Sequence, residues 1–207
     1  MDVRFRGIAV PLLTVMTVTW ATCGPLQAQN NNWVEPPAKV PRAQLGDRTH
    51  NIDFLFDALK VAPDDDSAKA IENRIWALWM ASGSDTADLL MNRVRQASDQ
   101  KEYDVALRLL NAIIEIKPSY TEAWNRRATI YFLKRDFRNS LADIEQVLVR
   151  EPRHFGALAG LGTILDEFGD EKHALEAFRK ALAVYPRLQG IGERVKILTE
   201  KIEGRDI

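Results

Sequence analysis

The sequence predicts an all-α chain of stacked helix-turn-helix units, and three observations carry that prediction. First, apolar residues recur at helical spacing: Trp124, Ala128 and Tyr131 share one face, and Phe137, Leu141, Ile144 and Leu148 share another after a short polar turn. Neither half of this hairpin can bury its stripe alone, so it needs neighbours. Second, Pro118, Pro152 and Pro186 recur at one constant interval, each following an apolar, alanine-containing stretch. Third, the intervening residues keep the same period. One such step forward from Trp124, Ala128, Tyr131, Ser140, Ile144 and Val147 reaches Leu158, Gly162, Leu165, Ala174, Phe178 and Ala181. One step back reaches Leu90, Val94, Ala97, Ala106, Leu110 and Ile113.

This pattern resembles the tetratricopeptide repeat (TPR) family, whose units are helical hairpins of about 34 residues. Trp124, Ala128 and Tyr131 of the middle unit carry the resemblance. So do Leu161, Gly162, Ala174, Phe178, Ala181 and Pro186 of the third. The first unit lacks the aromatic pair and the glycine but keeps Tyr103, Ala106 and Pro118. The resemblance implies a right-handed superhelical solenoid closed by a C-terminal capping helix.

Residues 1–28 read as a signal peptide. Arg4 and Arg6 precede a charge-free, largely apolar run from Ile8 to Ala21, Pro25 breaks any helix, and Ala28 offers a small residue for cleavage. The run is short for a membrane span of about 20 residues. The rival reading is a lipoprotein signal ending at Cys23, although Trp20, Ala21 and Thr22 match such a signal poorly. Cleavage after Ala28 would leave no cysteine and a net charge of about −2, against −1 for the whole chain. That balance argues against a nucleic-acid binder, which needs a basic footprint, and against charge-driven binding to anionic membranes. No membrane insertion is expected once the signal is removed.

Residues 29–48 form a linker: Asn30, Asn31, Asn32 and the prolines at 36, 37 and 41 cannot make a regular helix. Residues 49–85 read as a degenerate helical hairpin. Ile52, Leu55, Phe56 and Leu59 mark its first helix, which ends before Pro63, and Ile71, Ile75, Leu78 and Trp79 mark its second. Asp64, Asp65 and Asp66 complement the N-terminal dipole of that second helix. Trp76 and Trp79 stand one period before Leu110 and Ile113, as in a fourth, truncated repeat. The three regular repeats are expected at about 86–119, 120–153 and 154–187, within 86–186, and residues 187–207 as a capping helix and tail. Valine and isoleucine alternate there with Arg194, Lys196, Glu200 and Lys201, one apolar stripe on an otherwise wet helix.

No active site is visible. His50, His154 and His173 are far apart, none has a second ligand at metal-site spacing, and no phosphate loop or nucleophile elbow appears. No catalytic residue, metal or cofactor is therefore expected. Gly156 and Gly160, with Gly162, are read as small residues that let adjacent helices approach closely. Asp143 and Glu145 are read as part of a solvated face.

In the resembled family, first helices of successive repeats line a concave groove that holds an extended peptide or another protein. The resemblance places Met91, Asn92 and Arg95, then Asn125, Arg126 and Thr129, then Gly160, Thr163 and Asp166 on that groove. Gly156 and Gly160 stand where a basic pair would complete a carboxylate clamp, so that clamp is not expected, while Arg95 and Arg126 remain able to meet an acidic group. The resulting expectation is a non-enzymatic scaffold in the cell envelope, exported and periplasmic, that binds a protein or peptide in its groove. The alternative is a structural tether acting through the convex face, the linker or a lipidated Cys23.

Overall fold

The structure, a computed structural model, describes residues 48–204. The signal peptide, nearly all of the linker, and Cys23 lie outside the described residues. Among the described residues there are nine helices and no strand: α1 (Arg48–Lys60), α2 (Asp65–Met80), α3 (Asp85–Asp99), α4 (Tyr103–Ile116), α5 (Thr121–Leu133), α6 (Phe137–Arg150), α7 (Phe155–Glu167), α8 (Glu171–Val184) and α9 (Ile191–Glu203).

Helices α3–α4, α5–α6 and α7–α8 pair as hairpins, and α9 closes the stack on α8. The rows of the sequence repeat are the rows of the core. Ala106, Ser140 and Ala174 are buried, as are Leu110, Ile144 and Phe178, and Ile113, Val147 and Ala181. Within each second helix these residues fall at i, i+4 and i+7, one stripe turned onto the first helix. The facing positions, Val94, Ala128 and Gly162, shrink along the stack, and the smallest of them meets the largest partner, Phe178. A Cβ on Gly162 would lie 2.6 Å from the Phe178 ring, so that glycine is required by close approach. Ser140 Oγ donates to the Ala128 carbonyl at 2.9 Å, which satisfies the polar atom in this row.

The turn inside each hairpin also repeats. Lys101, Arg135 and Gly169 occupy the same place in successive repeats and all take left-handed backbone, at φ 60°, 60° and 76°. Only Gly169 does so without steric cost. Side chains of Asp64, Ser84, Asp136, His154 and Asp170 cap the helices that follow them.

The N-terminal hairpin α1–α2 does not extend the stack as a fourth repeat. Instead α2 lies across the joints between repeats, reaching α5, while α1 rests on α8. At the first joint Tyr120 Oη donates to the Met80 carbonyl at 2.8 Å. At the second, His154 stacks on Trp79 with ring centres 4.1 Å apart and planes 8° from parallel. At the third, Tyr185 Oη donates to Glu72 at 3.2 Å. Two arginines one period apart clasp the hairpin from the same loops. Arg153 pairs with Asp53 at 2.6 Å and covers the Phe56 ring, and Arg187 pairs with Asp65 and donates to the carbonyls of Ala62 and Pro63. Beneath them Leu55, Phe56, Leu59 and Ile75 pack with Phe155, Ala181 and Val184. Full burial of a side chain of that size contributes roughly 1.5–3 kcal/mol. Trp76 and Trp79, one period before Leu110 and Ile113, thus pack on His154 and Phe155 at the second joint.

Candidate functional site

The first helices α3, α5 and α7 carry the groove positions expected from the sequence, and the structure divides them into three groups. Asn125, Thr129 and Thr163 come together on the wall of a pocket of about 170 Å³ between α5, α6 and α7. Its inner surface is Ala128, Phe132, Ile144 and Ile164, and its α7 side is the backbone of Gly156 and Gly160. Both threonine hydroxyls donate back to their own helix, Thr129 to the Asn125 carbonyl and Thr163 to the Ala159 carbonyl, which leaves acceptor lone pairs turned outward.

Asn92 and Arg95 are exposed on α3, and among the described residues their side chains make no hydrogen bond or ion pair within the chain. Arg95, Thr129 and Thr163 form one row at the repeat spacing, so the free cation stands one repeat along from the pocket's rim. Met91, expected beside them, is instead 4% exposed and belongs to the core.

The remaining two are engaged within the fold. Arg126 Nε donates to Glu122 at 2.7 Å, and its guanidinium also reaches the Met80 sulfur at the end of α2. Glu122 is fully buried and also accepts from Asn125 at 3.0 Å. Arg126 therefore balances a buried carboxylate, which is a folding role, contrary to the expectation of a free groove cation. Asp166 accepts from Arg194 of α9 at 2.6 Å, so it fastens the capping helix.

The glycines of α7 separate in the same way. A Cβ on Gly160 would meet only the Ile144 methyl, at 3.7 Å, an ordinary contact, and one on Gly156 would meet Trp76 and His154 at 3.4 Å. Close helix approach explains Gly162 and leaves Gly160 unexplained, although an interior glycine weakens a helix by about 0.5–1 kcal/mol relative to alanine. Gly160 lines the pocket.

His154 is the residue whose role the sequence left unread. It is fully buried and caps α7. Nδ1 accepts the Ala157 amide at 3.1 Å, which puts the ring proton on Nε2, 3.4 Å from Glu122 Oε2. A histidine beside a carboxylate is the pairing a general base would need, but both side chains are sealed and both ring nitrogens are occupied. The arrangement builds a joint. Its sequence signal was Tyr120, one period earlier, another large ring at the same joint position.

Opposite the groove, between α4 and α6, a broad cleft of about 670 Å³ contains Trp124, Tyr131, Glu115 and Glu145. Asp143, expected in water, is buried here and pairs with Arg127 through two bonds of 2.7 and 2.8 Å, while Arg127 also donates to Asn111 at 2.6 Å. The Asp143 bond holds the Arg127 guanidinium above its ordinary pKa. Trp124 lies under both Arg127 and Arg150, at 4.9 and 5.0 Å. Among the described residues no group of three His, Cys, Asp or Glu side chains is placed to hold a metal ion, and no helix is long and apolar enough to cross a membrane.

The tetratricopeptide repeat family model matches residues 155–187, the third hairpin with its following turn. A TPR repeat-containing protein of Rhizobium etli is 43% identical over 153 residues, covering 74% of this chain and 75% of its own length. Among solved structures, the Sgt2 TPR domain of Aspergillus fumigatus superimposes with a TM-score of 0.54 at 23% identity, over 59% of this chain and 83% of that one. The first TPR domain of Spaghetti, bound to the HSP90 peptide SRMEEVD, gives a TM-score of 0.55 at 16% identity, over 58% and 95%. The crystal structure of MamA gives 0.53 at 16%, over 78% and 86%. With the periodic core, the repeated turns and a relative of this identity and coverage, the chain belongs to the tetratricopeptide repeat family.

Proposed function

We propose that this protein is a non-enzymatic interaction scaffold that holds an extended peptide or protein segment in the groove lined by α3, α5 and α7, in the cell envelope. The observation that carries the reading is the division of labour among the groove's polar groups. Asp166, Arg126 and Glu122 are consumed by the fold, whereas Asn92 and Arg95 stand exposed and unpaired beside a pocket rimmed by Asn125, Thr129 and Thr163. A stiff stack presents these groups already in place, so binding would cost little ordering. One fold relative, the first TPR domain of Spaghetti, holds a peptide, which supports the reading by analogy of fold. Export rests on residues 1–28, with their arginine-flanked apolar run.

The test is affinity capture from an envelope extract with the full chain and with Arg95→Ala. A charge-assisted bond contributes roughly 1.5–3 kcal/mol, so the substitution should weaken capture at least tenfold without moving the unfolding midpoint. Intact mass of the same cellular sample should show a mature chain beginning near Gln29. Retention of Met1 would remove the envelope assignment. Undiminished capture by Arg95→Ala, with loss on changing Glu115 and Glu145 together, would move binding to the opposite cleft and favour the tethering role.

A further inference from the structure

We infer that the Gly156–Gly160 pocket is a side-chain subsite that selects one uncharged aliphatic or aromatic residue of the bound peptide; this rests on the groove reading above. The pocket's size comes first. At about 170 Å³ it is well below the roughly 300–1,000 Å³ of a small-molecule site, yet several times the ~30 Å³ share of one water. It has room for a single side chain.

Its chemistry comes second. Phe132, Ile144 and the bare α7 backbone make the interior, and no ionisable side chain lines it. A lysine or aspartate inserted there would lose its water and find no opposite charge. The rim is different: Asn125, Thr129 and Thr163 offer acceptors at the mouth, where a peptide's own N–H groups would pass. Arg95 lies one repeat along the row, outside the pocket, so the occupant is an extended segment that places one apolar side chain in the pocket.

The glycines of α7 are the third observation. Gly156 and Gly160 both line the pocket, and a Cβ on Gly156 would meet Trp76 of α2 and His154 at 3.4 Å. Glycine at 160 needs no other explanation: a side chain there would point into the space the ligand takes, meeting only the Ile144 methyl.

The experiment uses the full chain labelled with nitrogen-15 and capped pentapeptides of alanine carrying leucine, phenylalanine, lysine or aspartate at the centre. The leucine and phenylalanine peptides should shift the Gly156 and Gly160 amides and bind at least tenfold more tightly than the lysine, aspartate and all-alanine peptides. Gly160→Leu should abolish that preference while keeping or raising the unfolding midpoint, and Gly160→Ala, which fills less of the pocket, should weaken it partially. Shifts confined to Arg95, Asn125 and Thr129, the same for every peptide, would overturn the subsite and leave the groove standing. Undiminished leucine binding by Gly160→Leu would overturn it too. The same holds if no peptide perturbs α7; the Arg95→Ala capture then decides the groove separately.

Discussion

In the three repeats, each core position has a counterpart one period away, so Leu110, Ile144 and Phe178 meet equivalent neighbours in equivalent hairpins. The N-terminal hairpin is attached by contacts that reach far along the chain: Glu72 to Tyr185, Asp65 to Arg187, Asp53 to Arg153. The repeats are a sum of local hairpins and nearest-neighbour interfaces. The hairpin bridges several joints at once, so it adds coupling that a bare stack lacks. The difference teaches where to expect separate unfolding. Loosening the hairpin should leave the repeats folded, whereas overpacking a repeat should weaken the stack to which the hairpin clings.

The largest expected effect lies at the joint. Trp79→Ala removes the partner of the His154 stack and of Phe56 and Phe155, and should cost about 3 kcal/mol, at the low end for a large aromatic because Trp79 is only partly buried. Hydrogen exchange should then rise in α1 and α2 while α4, α6 and α8 keep their protection. Uniform loss along the chain would show that hairpin and stack are one cooperative unit.

Next come Gly162→Leu and Ala128→Leu, each expected to destabilise by about 1–3 kcal/mol through overpacking between the helices of one repeat. Denaturant midpoints measure this. Unchanged midpoints for both would mean that the repeat rows are not the packing rows.

A smaller effect concerns pH. Burial and the neighbouring Glu72 carboxylate push the Tyr185 phenol from 10 up to about 12. The neutral phenol is the form the fold favours, so its stabilisation is complete below pH 10 and is lost as pH rises towards 12. Absorbance at alkaline pH should show one tyrosine titrating near 12, absent in Tyr185→Phe. That variant should lose about 1 kcal/mol at neutral pH and this part of the alkaline sensitivity. A Tyr185 titration at 10 would place its hydroxyl in water and detach α2 from the third joint.

The smallest effect belongs to the turns. Lys101 holds left-handed backbone where Gly169 holds it freely, so Lys101→Gly should stabilise by about 0.5–1 kcal/mol, the relief of backbone strain exceeding the added chain entropy. Thermal unfolding measures it, and a lower midpoint would show that the Lys101 side chain carries a contact worth more than the strain.

Periodicity was enough to find the three hairpins and the close approach at Gly162, because each depends on residues near in sequence that repeat at a fixed interval. It was also enough to place Asn125, Thr129 and Thr163 on one surface, since the period decides which residues share a row. The roles of Arg126, Asp166, Asp143 and His154 were not legible in the same way. Whether a charge is free or engaged depends on which distant element arrives beside it, and Met80, Arg194, Arg127 and Trp79 come from other helices. The course of α1–α2 was undetermined for the same reason: an apolar stripe states that a helix must be covered, not by what. Helical periodicity is local and can be read from a string. Burial, pairing and the open space at Gly160 are properties of surfaces that meet only when the chain has folded.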